Sequence, residues 1–529
     1  MQKKKIVVCD HLHDKAREIL EKEQDIIYVN AADVPKGKPL YEVIKDADVI
    51  ITRSSTPVDK ELLEHAKSLK AIVRAGVGVD NVDIDECSRR GIIVMNVPTA
   101  NTIAAVELTM AHMLSCMRAF PYAHNQLKLE RIWKREAWIG NELKGKKLGI
   151  IGFGNIGSRV GKRALAFEME VITYDPYIPS EKATNMGVRY TTDFNEILQC
   201  DIITIHTPKT KETINMIDRE EIEKMKDGVV LINCARGGLY NEDALYEGLK
   251  SGKIKFAGID VFAKEPATDN KLLELDNVTV TPHLGANTIE SQEKIAIGAA
   301  TQALEAARGI SYPNALNLPI REDEMPPFVK PYLELTQKLG FLAAQVNKGA
   351  YKSIKVIGEG EIADYINSLV TFAVVGVLKE SLGENINYVN AEFVAKERGI
   401  EIISKQNPES SGYKNRVTVK LTTDRDIIEI SGTIFEENVQ RIVDINNFAL
   451  DVEPKGKMIL FKNTDVPGVI GEVGMILAKH NINIADFRLG RDEHGHALAV
   501  IIVDDDVSKE VLQELADLKA CLSVSYAIL

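Results

Sequence analysis

A short apolar run, Leu148-Gly149-Ile150-Ile151, passes without a spacer into Gly152-Phe153-Gly154-Asn155-Ile156-Gly157, and a helical pattern begins at Ser158. A second strand pattern, Val171 to Tyr174, ends in Asp175, 18 residues after the third glycine. This order constrains the chain to a strand, a tight turn and a helix within a parallel α/β domain. Gly152 permits the turn, Gly154 lets backbone approach a pyrophosphate, and Gly157 lets the helix pack on its strand. Asn155 and Ile156 lie within the glycine turn, just before that helix, whose N-terminal N–H groups face the phosphates. Asp175 accepts hydrogen bonds from the adenosine ribose hydroxyls and repels a 2′-phosphate, which favours NAD over NADP.

Strands rich in Val and Ile alternate with helical patterns to about residue 310, as in other α/β domains. Strands are predicted at Lys5–Cys9, Val49–Thr52, Ala71–Arg74 and Ile92–Asn96, with helices near 13–22 and from Thr99 to Arg118. Pro313, Pro319, Pro326, Pro327 and Pro331, together with Arg321-Glu322-Asp323-Glu324, read as a linker. Beyond it lie residues of α+β character, with strands at Ser353–Ile357, Val417–Leu421 and Ile427–Ile430. The apolar run Leu369–Leu378 is half a bilayer in length and reads as a buried helix. After Pro454-Lys455-Gly456 the pattern is βαββαβ, the order of a ferredoxin-like sandwich.

A net charge of −12 argues against a nucleic-acid surface. The six cysteines are scattered, with no CxxC pair, and read as reduced thiols of a cytoplasmic protein with no metal site. Lys3 to Lys5 are followed by too few apolar residues for a secretory leader. The expectation is a soluble protein with no membrane or nucleic-acid partner.

Three later segments end strands with chemically useful groups: Asn233-Cys234-Ala235-Arg236-Gly237-Gly238, Asp260-Val261-Phe262 followed by Glu265-Pro266, and Pro282-His283-Leu284-Gly285-Ala286. Removing a hydride from a secondary alcohol requires a base for the hydroxyl proton and a cation for the carboxylate. His283 suits the first task, Glu265 the orientation of its ring, and Arg236 the bidentate anchor. Taken singly, each residue has a structural alternative: a satisfied core histidine, a helix-boundary turn, a surface ion pair. Spacing alone leaves those alternatives open.

Together these segments resemble the signature set of the D-isomer-specific 2-hydroxyacid dehydrogenases, over about residues 5 to 310. The resemblance implies a Rossmann-type NAD domain (99–285) inserted in a flavodoxin-like substrate lobe (1–98 and 286–316). It implies catalytic roles for Arg236, Glu265 and His283. It also implies that the cofactor meets His206, Thr207, Pro208, Cys234, Ala235 and Asp260, with Arg236, His283, Gly285 and Ala286 at its reactive end. Cys234 is expected to line the cleft and not to act as a nucleophile. Carried over from members acting on a phosphorylated acid, substrate contact falls on Arg53, Ser54, Val77, Gly78 and Asn101, and Arg74 adds a second cation nearby.

The C-terminal third resembles that of the long-form branch of the family, with an α+β intervening domain of allosteric substrate-binding type (317–453) and an ACT domain (457–529). This implies oxidation of 3-phospho-D-glycerate to 3-phosphohydroxypyruvate at the start of L-serine biosynthesis. L-serine is the expected effector, at Asn463, Asp465 and Asn483 between paired ACT domains, in a homodimer or homotetramer. The alternatives are another D-2-hydroxyacid dehydrogenase, such as a hydroxypyruvate reductase, and an NAD-sensing corepressor-like protein.

Overall fold

Strands such as Val49–Thr52 and Val229–Asn233 carry apolar residues at successive positions and are buried on both faces. A parallel sheet sandwiched between helices buries its strands in that way. The computed structural model, which describes residues 3–318, 325–383, 386–410, 412–436 and 438–529, contains two such sheets.

The first is built from β1 (Lys4–Val8), β2 (Ile26–Asn30), β3 (Val49–Thr52), β4 (Ala71–Arg74) and β5 (Ile93–Asn96). All its pairings are parallel and the order is β2-β1-β3-β4-β5, the flavodoxin-like arrangement. The helix Ile289–Arg308 returns to this sheet, and Ile295, Ala299 and Ala303 are buried among Ile6, Val49 and Val73.

The second holds β6 (Lys147–Ile151), β7 (Glu170–Tyr174), β8 (Arg189–Thr191), β9 (Ile202–Ile205), β10 (Val229–Asn233), β11 (Ile254–Ile259) and β12 (Val278–Val280). Its order is β12-β11-β10-β9-β6-β7-β8, again wholly parallel. The chain reverses direction across the sheet between β6 and β9. This is the topological switch point where doubly wound sheets bind dinucleotides.

The remaining residues form two further sheets. Strands β13 (Tyr351–Gly360), β14 (Glu401–Asn407), β15 (Asn415–Thr423), β16 (Ile427–Phe435), β17 (Val439–Ile445) and β18 (Phe448–Val452) form the third, which is longer and wider than the sequence pattern predicts. Strands β19 (Lys457–Thr464), β20 (Ile484–Arg491), β21 (His496–Val503) and β22 (Cys521–Ile528) form the fourth, in the antiparallel order β20-β21-β19-β22 expected of βαββαβ.

One face of the fourth sheet (Ile459, Phe461, Ile501) packs on its own two helices. The opposite face (Met458, Leu460, Val500, Ile502) belongs to the same buried core as Val329–Val346 and the third sheet. Gln345 ties the two domains by accepting from Ile528 N and donating to Ile528 O, both at 2.9 Å. By contrast, the third sheet's domain reaches the first lobe through a narrower contact, in which Val389 is buried and Asn387 Nδ2 donates to Gly91 O at 2.9 Å.

Of the proline-rich linker, 319–324 lie outside the described residues. Pro331 belongs to a helix instead: it sits in the first turn of Val329–Val346, where an N–H has no intrahelical acceptor to lose. Among the described residues the span Glu361–Leu382 has the length and apolarity of a membrane-crossing helix, and so does the bent pair Thr102–Arg118 with Phe120–Lys128 taken together. The predicted run Leu369–Leu378 lies within the first, with Leu369, Val374 and Val377 fully buried in the core.

Candidate active site

The glycine turn follows β6 directly. Gly152 has φ +88°, and a Cβ there would lie 2.9 Å from His206 O, so the turn admits glycine alone. A Cβ on Gly157 would lie 2.0 Å from Gly152 O, whereas one on Gly154 meets nothing within 4 Å. The first and third glycines are therefore fixed by the protein's own packing, and the second borders open space. The helix begins earlier than its pattern predicts, with Gly154 as N-cap and Asn155 and Ile156 in the first turn.

Asp175, at the tip of β7, accepts from Phe153 N (2.8 Å) and Tyr177 N (3.0 Å), which aims its carboxylate toward the turn. His206, Thr207 and Pro208 follow β9 on the other side of the switch point. Burial pushes the His206 imidazole down to about 3, so the ring is neutral. Its Nε2 lies 3.1 Å from Thr204 Oγ1. His206 Nδ1 and Thr207 Oγ1 are buried without a protein partner. Open space at Gly154, free helix N–H groups, a carboxylate at the ribose position and two unsatisfied polar atoms together fit a dinucleotide.

These contacts separate the glycines by experiment. Gly157→Ala is expected to lose folded protein, whereas Gly154→Ala should keep its melting temperature within a few degrees while NADH binding weakens. Melting curves and fluorescence titration with NADH check both.

The three catalytic candidates converge from separate strand ends. His283 follows β12 with φ +55°, a conformation uncommon outside glycine and typical of strained functional positions. Its Nδ1 lies 2.8 Å from Glu265 Oε2. A carboxylate only accepts, so Nδ1–H donates and Nε2 is left as the free acceptor. Glu265 Oε1 takes the Phe262 N–H at 3.0 Å. Partial burial pushes the Glu265 carboxyl up, but these two hydrogen bonds outweigh it and hold the group below the usual range. Arg236 follows β10, with Nε 3.1 Å from Asp80 Oδ2 and Nη1 donating to Ala235 O at 2.7 Å.

A cavity of about 750 Å³ joins these groups to the first lobe. Arg53, Ser54, Val77, Gly78 and Asn101 line it together with Arg236, Glu265, His283 and Ala286. Arg74 lines it too. Burial, then repulsion from Arg236 and Arg53, pulls its guanidinium down to about 10. Arg74 Nε and Asn101 Oδ1 are buried without partners. Three mutually repelling cations beside unsatisfied polar atoms make a site for an anion. Arg74 stands beside Arg53 because β4 pairs with β3, an adjacency that sequence spacing does not reveal.

Asp260 is fully buried and accepts from Thr281 Oγ1 (2.6 Å), Leu284 N (2.7 Å) and Gly285 N (3.0 Å), so it shapes the His283 loop. Cys234 and Ala235 are buried at the end of β10, and burial pushes the Cys234 thiol up, which leaves it un-ionised and no nucleophile. No group of three or more His, Cys, Asp or Glu able to hold a metal occurs among the described residues.

The family model of the D-isomer specific 2-hydroxyacid dehydrogenase NAD binding domain matches residues 110–285. That of the D-3-phosphoglycerate dehydrogenase intervening domain matches 328–446, and that of the ACT domain 457–520. The D-3-phosphoglycerate dehydrogenase of Bacillus subtilis is 40% identical over 525 residues, 98% of each chain. The enzyme of that name from Methanocaldococcus jannaschii is 41% identical over 517 residues, 97% of this chain and 98% of the other. The chain belongs to the D-3-phosphoglycerate dehydrogenase family.

Like other members it is an NAD-dependent dehydrogenase of the D-2-hydroxyacid type. The solved D-lactate dehydrogenase of Aquifex aeolicus, a complex with NAD and lactic acid, superposes with TM-score 0.51 at 31% identity, over 58% of this chain and 96% of that one. The similarity to that shorter enzyme therefore covers just over half of this D-3-phosphoglycerate dehydrogenase family member.

In its ACT domain, the expected effector residues separate into two groups. Asn463 is buried and donates to Thr464 O at 2.7 Å, and Asp465 pairs with Arg491 at 2.9 Å, both at one end of the sheet. Asn483 precedes β20 at the other end, where its Nδ2 donates to Asp504 at 2.7 Å. Arg491 and Ile484 terminate the same strand, so one chain does not bring the three residues together.

Proposed function

We propose that the chain oxidises 3-phospho-D-glycerate to 3-phosphohydroxypyruvate, with Arg236, Glu265 and His283 as its catalytic residues. The observation that carries this reading is the convergence of Arg53, Arg74 and Arg236 on the cavity that also holds His283 and Glu265. The substrate bears two anionic ends, and this cavity offers more positive charge than a carboxylate alone requires. Arg236 binds the carboxylate, and Arg53, Arg74 and Ser54 take the phosphate, with Asn101 and the Val77-Gly78 backbone bordering the substrate. His283 Nε2 accepts the hydroxyl proton, and Glu265 stabilises the imidazolium that results. NAD, held at the turn Gly152–Gly157, supplies the hydride acceptor. Gly285 and Ala286 border the reactive end beside Asp260. Assaying 3-phospho-D-glycerate against unphosphorylated hydroxy acids tests the reading: a preference for the unphosphorylated acids removes it.

Glu265→Gln tests the role of the charge. Glutamine retains a hydrogen-bonding oxygen but no negative charge, so the imidazolium loses its stabilisation. The plateau rate should fall and the acid limb of the kcat/KM profile should move to lower pH, because protonated His283 forms less readily. An unchanged profile would count against Glu265 as the ring's partner.

The division of the chain at 1–98 with 286–316, 99–285, 317–453 and 457–529 is supported by the four sheets and by the return of Ile289–Arg308 to the first. Assembly as a homo-oligomer is supported by the exposed apolar side chains of Phe120, Leu129, Trp133 and Ile139. L-serine as effector, held between ACT domains of two chains, accords with the separation of Asn463 and Asp465 from Asn483. Isothermal titration of the full chain with L-serine should show binding that Asn483→Ala removes. A cytoplasmic setting accords with six cysteines that are all free.

A further inference from the structure

Behind the His283 loop lies a buried polar chain centred on His112. His112, in the helix Thr102–Arg118, is buried with Nε2 2.8 Å from Thr281 Oγ1 and Nδ1 3.0 Å from Thr279 Oγ1. Cys116 Sγ lies 3.4 Å from the Thr279 hydroxyl. The strand opposite makes room for the ring: a Cβ on Gly258 would lie 2.8 Å from His112 Cβ and 3.1 Å from its Nδ1.

The direction of each bond follows from its end point. The Asp260 carboxylate can only accept, so the Thr281 hydroxyl donates to it at 2.6 Å. That hydroxyl has spent its proton and must accept from His112, which places the ring proton on Nε2. Nδ1 is then an acceptor and takes the Thr279 hydroxyl, which in turn accepts from the Cys116 thiol. Burial holds His112 in the neutral form this order requires.

We propose that His112 is a positioning residue for the reaction: through Thr281 it fixes the Asp260 carboxylate, which anchors the backbone that follows His283. Asp260 meets that segment three times, through its backbone O to His283 N (2.9 Å) and through its carboxylate to Leu284 N (2.7 Å) and Gly285 N (3.0 Å). His283 has a left-handed backbone that its own side chain does not favour, so the loop depends on these anchors. With His112 removed, Thr281 keeps one partner instead of two and its hydroxyl is free to turn away from Asp260. A base displaced by a fraction of an ångström slows proton transfer without loosening substrate or cofactor.

The inference rests on His283 acting as the base. The test compares His112→Leu, Thr281→Val, the pair together, and the conservative His112→Gln and Thr281→Ser, in the full-length enzyme. Each is read for kcat, KM and NADH dissociation constant. His112→Leu and Thr281→Val should each lower kcat roughly tenfold, with KM and NADH affinity unchanged within about twofold. The double variant should be no slower than the slower single one, because both break the same chain. Glutamine at 112 can still donate to Thr281, and serine at 281 can still bridge, so both should recover most of the rate. Full kcat in His112→Leu, additive losses, or a parallel loss of NADH binding would each overturn the proposal. If the unmodified enzyme ignores 3-phospho-D-glycerate but oxidises another hydroxy acid, the substrate assignment fails, and the same comparison is run on that acid.

Discussion

His283→Ala is expected to reduce kcat by about two to four orders of magnitude while NADH still binds, because it removes the imidazole placed to take the hydroxyl proton. Nδ1 is committed to Glu265 at 2.8 Å, so the proton has Nε2 as its single destination on the ring. Glutamine in place of His283 fills similar volume without a base of suitable strength, and should be as slow as alanine. The measurement is NADH absorbance at alkaline pH with 3-phospho-D-glycerate, trapping the keto product, together with fluorescence titration of NADH. A variant retaining a tenth of the normal kcat would remove His283 from its role.

The second large effect is expected at Arg236. Lysine keeps the charge but not the fork. Arg236 uses its Nε on Asp80 and its Nη1 on Ala235 O, and its Nη2 occupies the space that a side chain at Gly78 would need, 2.3 Å from such a Cβ. A lysine ammonium reproduces at most one of these directions. Those bonds fix the guanidinium, and without them the anchor loses at least one charge-assisted bond to the substrate carboxylate, worth roughly 1.5–3 kcal/mol, or at least about tenfold in kcat/KM. Arg236→Lys should show that loss for 3-phospho-D-glycerate with little change in NADH affinity. A value within fivefold of the parent enzyme would show that the guanidinium geometry is not used.

The parts of this site that the sequence disclosed are those whose chemistry is local. The glycine turn, Asp175, and the strand-end segments carrying Arg236, Glu265 and His283 each combine an unusual residue with its backbone context within a few positions. His112 was not legible as a site residue, and Arg74 only as a second cation near the site, for the opposite reason. Arg74 reaches the cavity only because β4 lies beside β3, and His112 meets Thr279 and Thr281 across 167 and 169 residues of sequence. In the primary sequence, His112 is a lone histidine in an apolar helix and reads as core. The same contrast holds for the fold. The parallel strands announce themselves as unbroken β-branched runs, but β14 and β17 are partly exposed and mix polar with apolar residues, so neither gives a clean period. Pro331 misled in another way, since a proline in a helix's first turn looks the same as one in a linker.

The two C-terminal domains also differ in how separable they are. A gene ending after about residue 453 would strip the cover from an apolar surface that Met458, Leu460, Val500 and Ile502 now share with Val329–Val346. A split after about 318 severs a far thinner attachment around Val389 and Asn387. Gene fusion and loss should therefore shuffle the intervening and ACT domains as one cassette, and a lineage that discards the sensor should discard both.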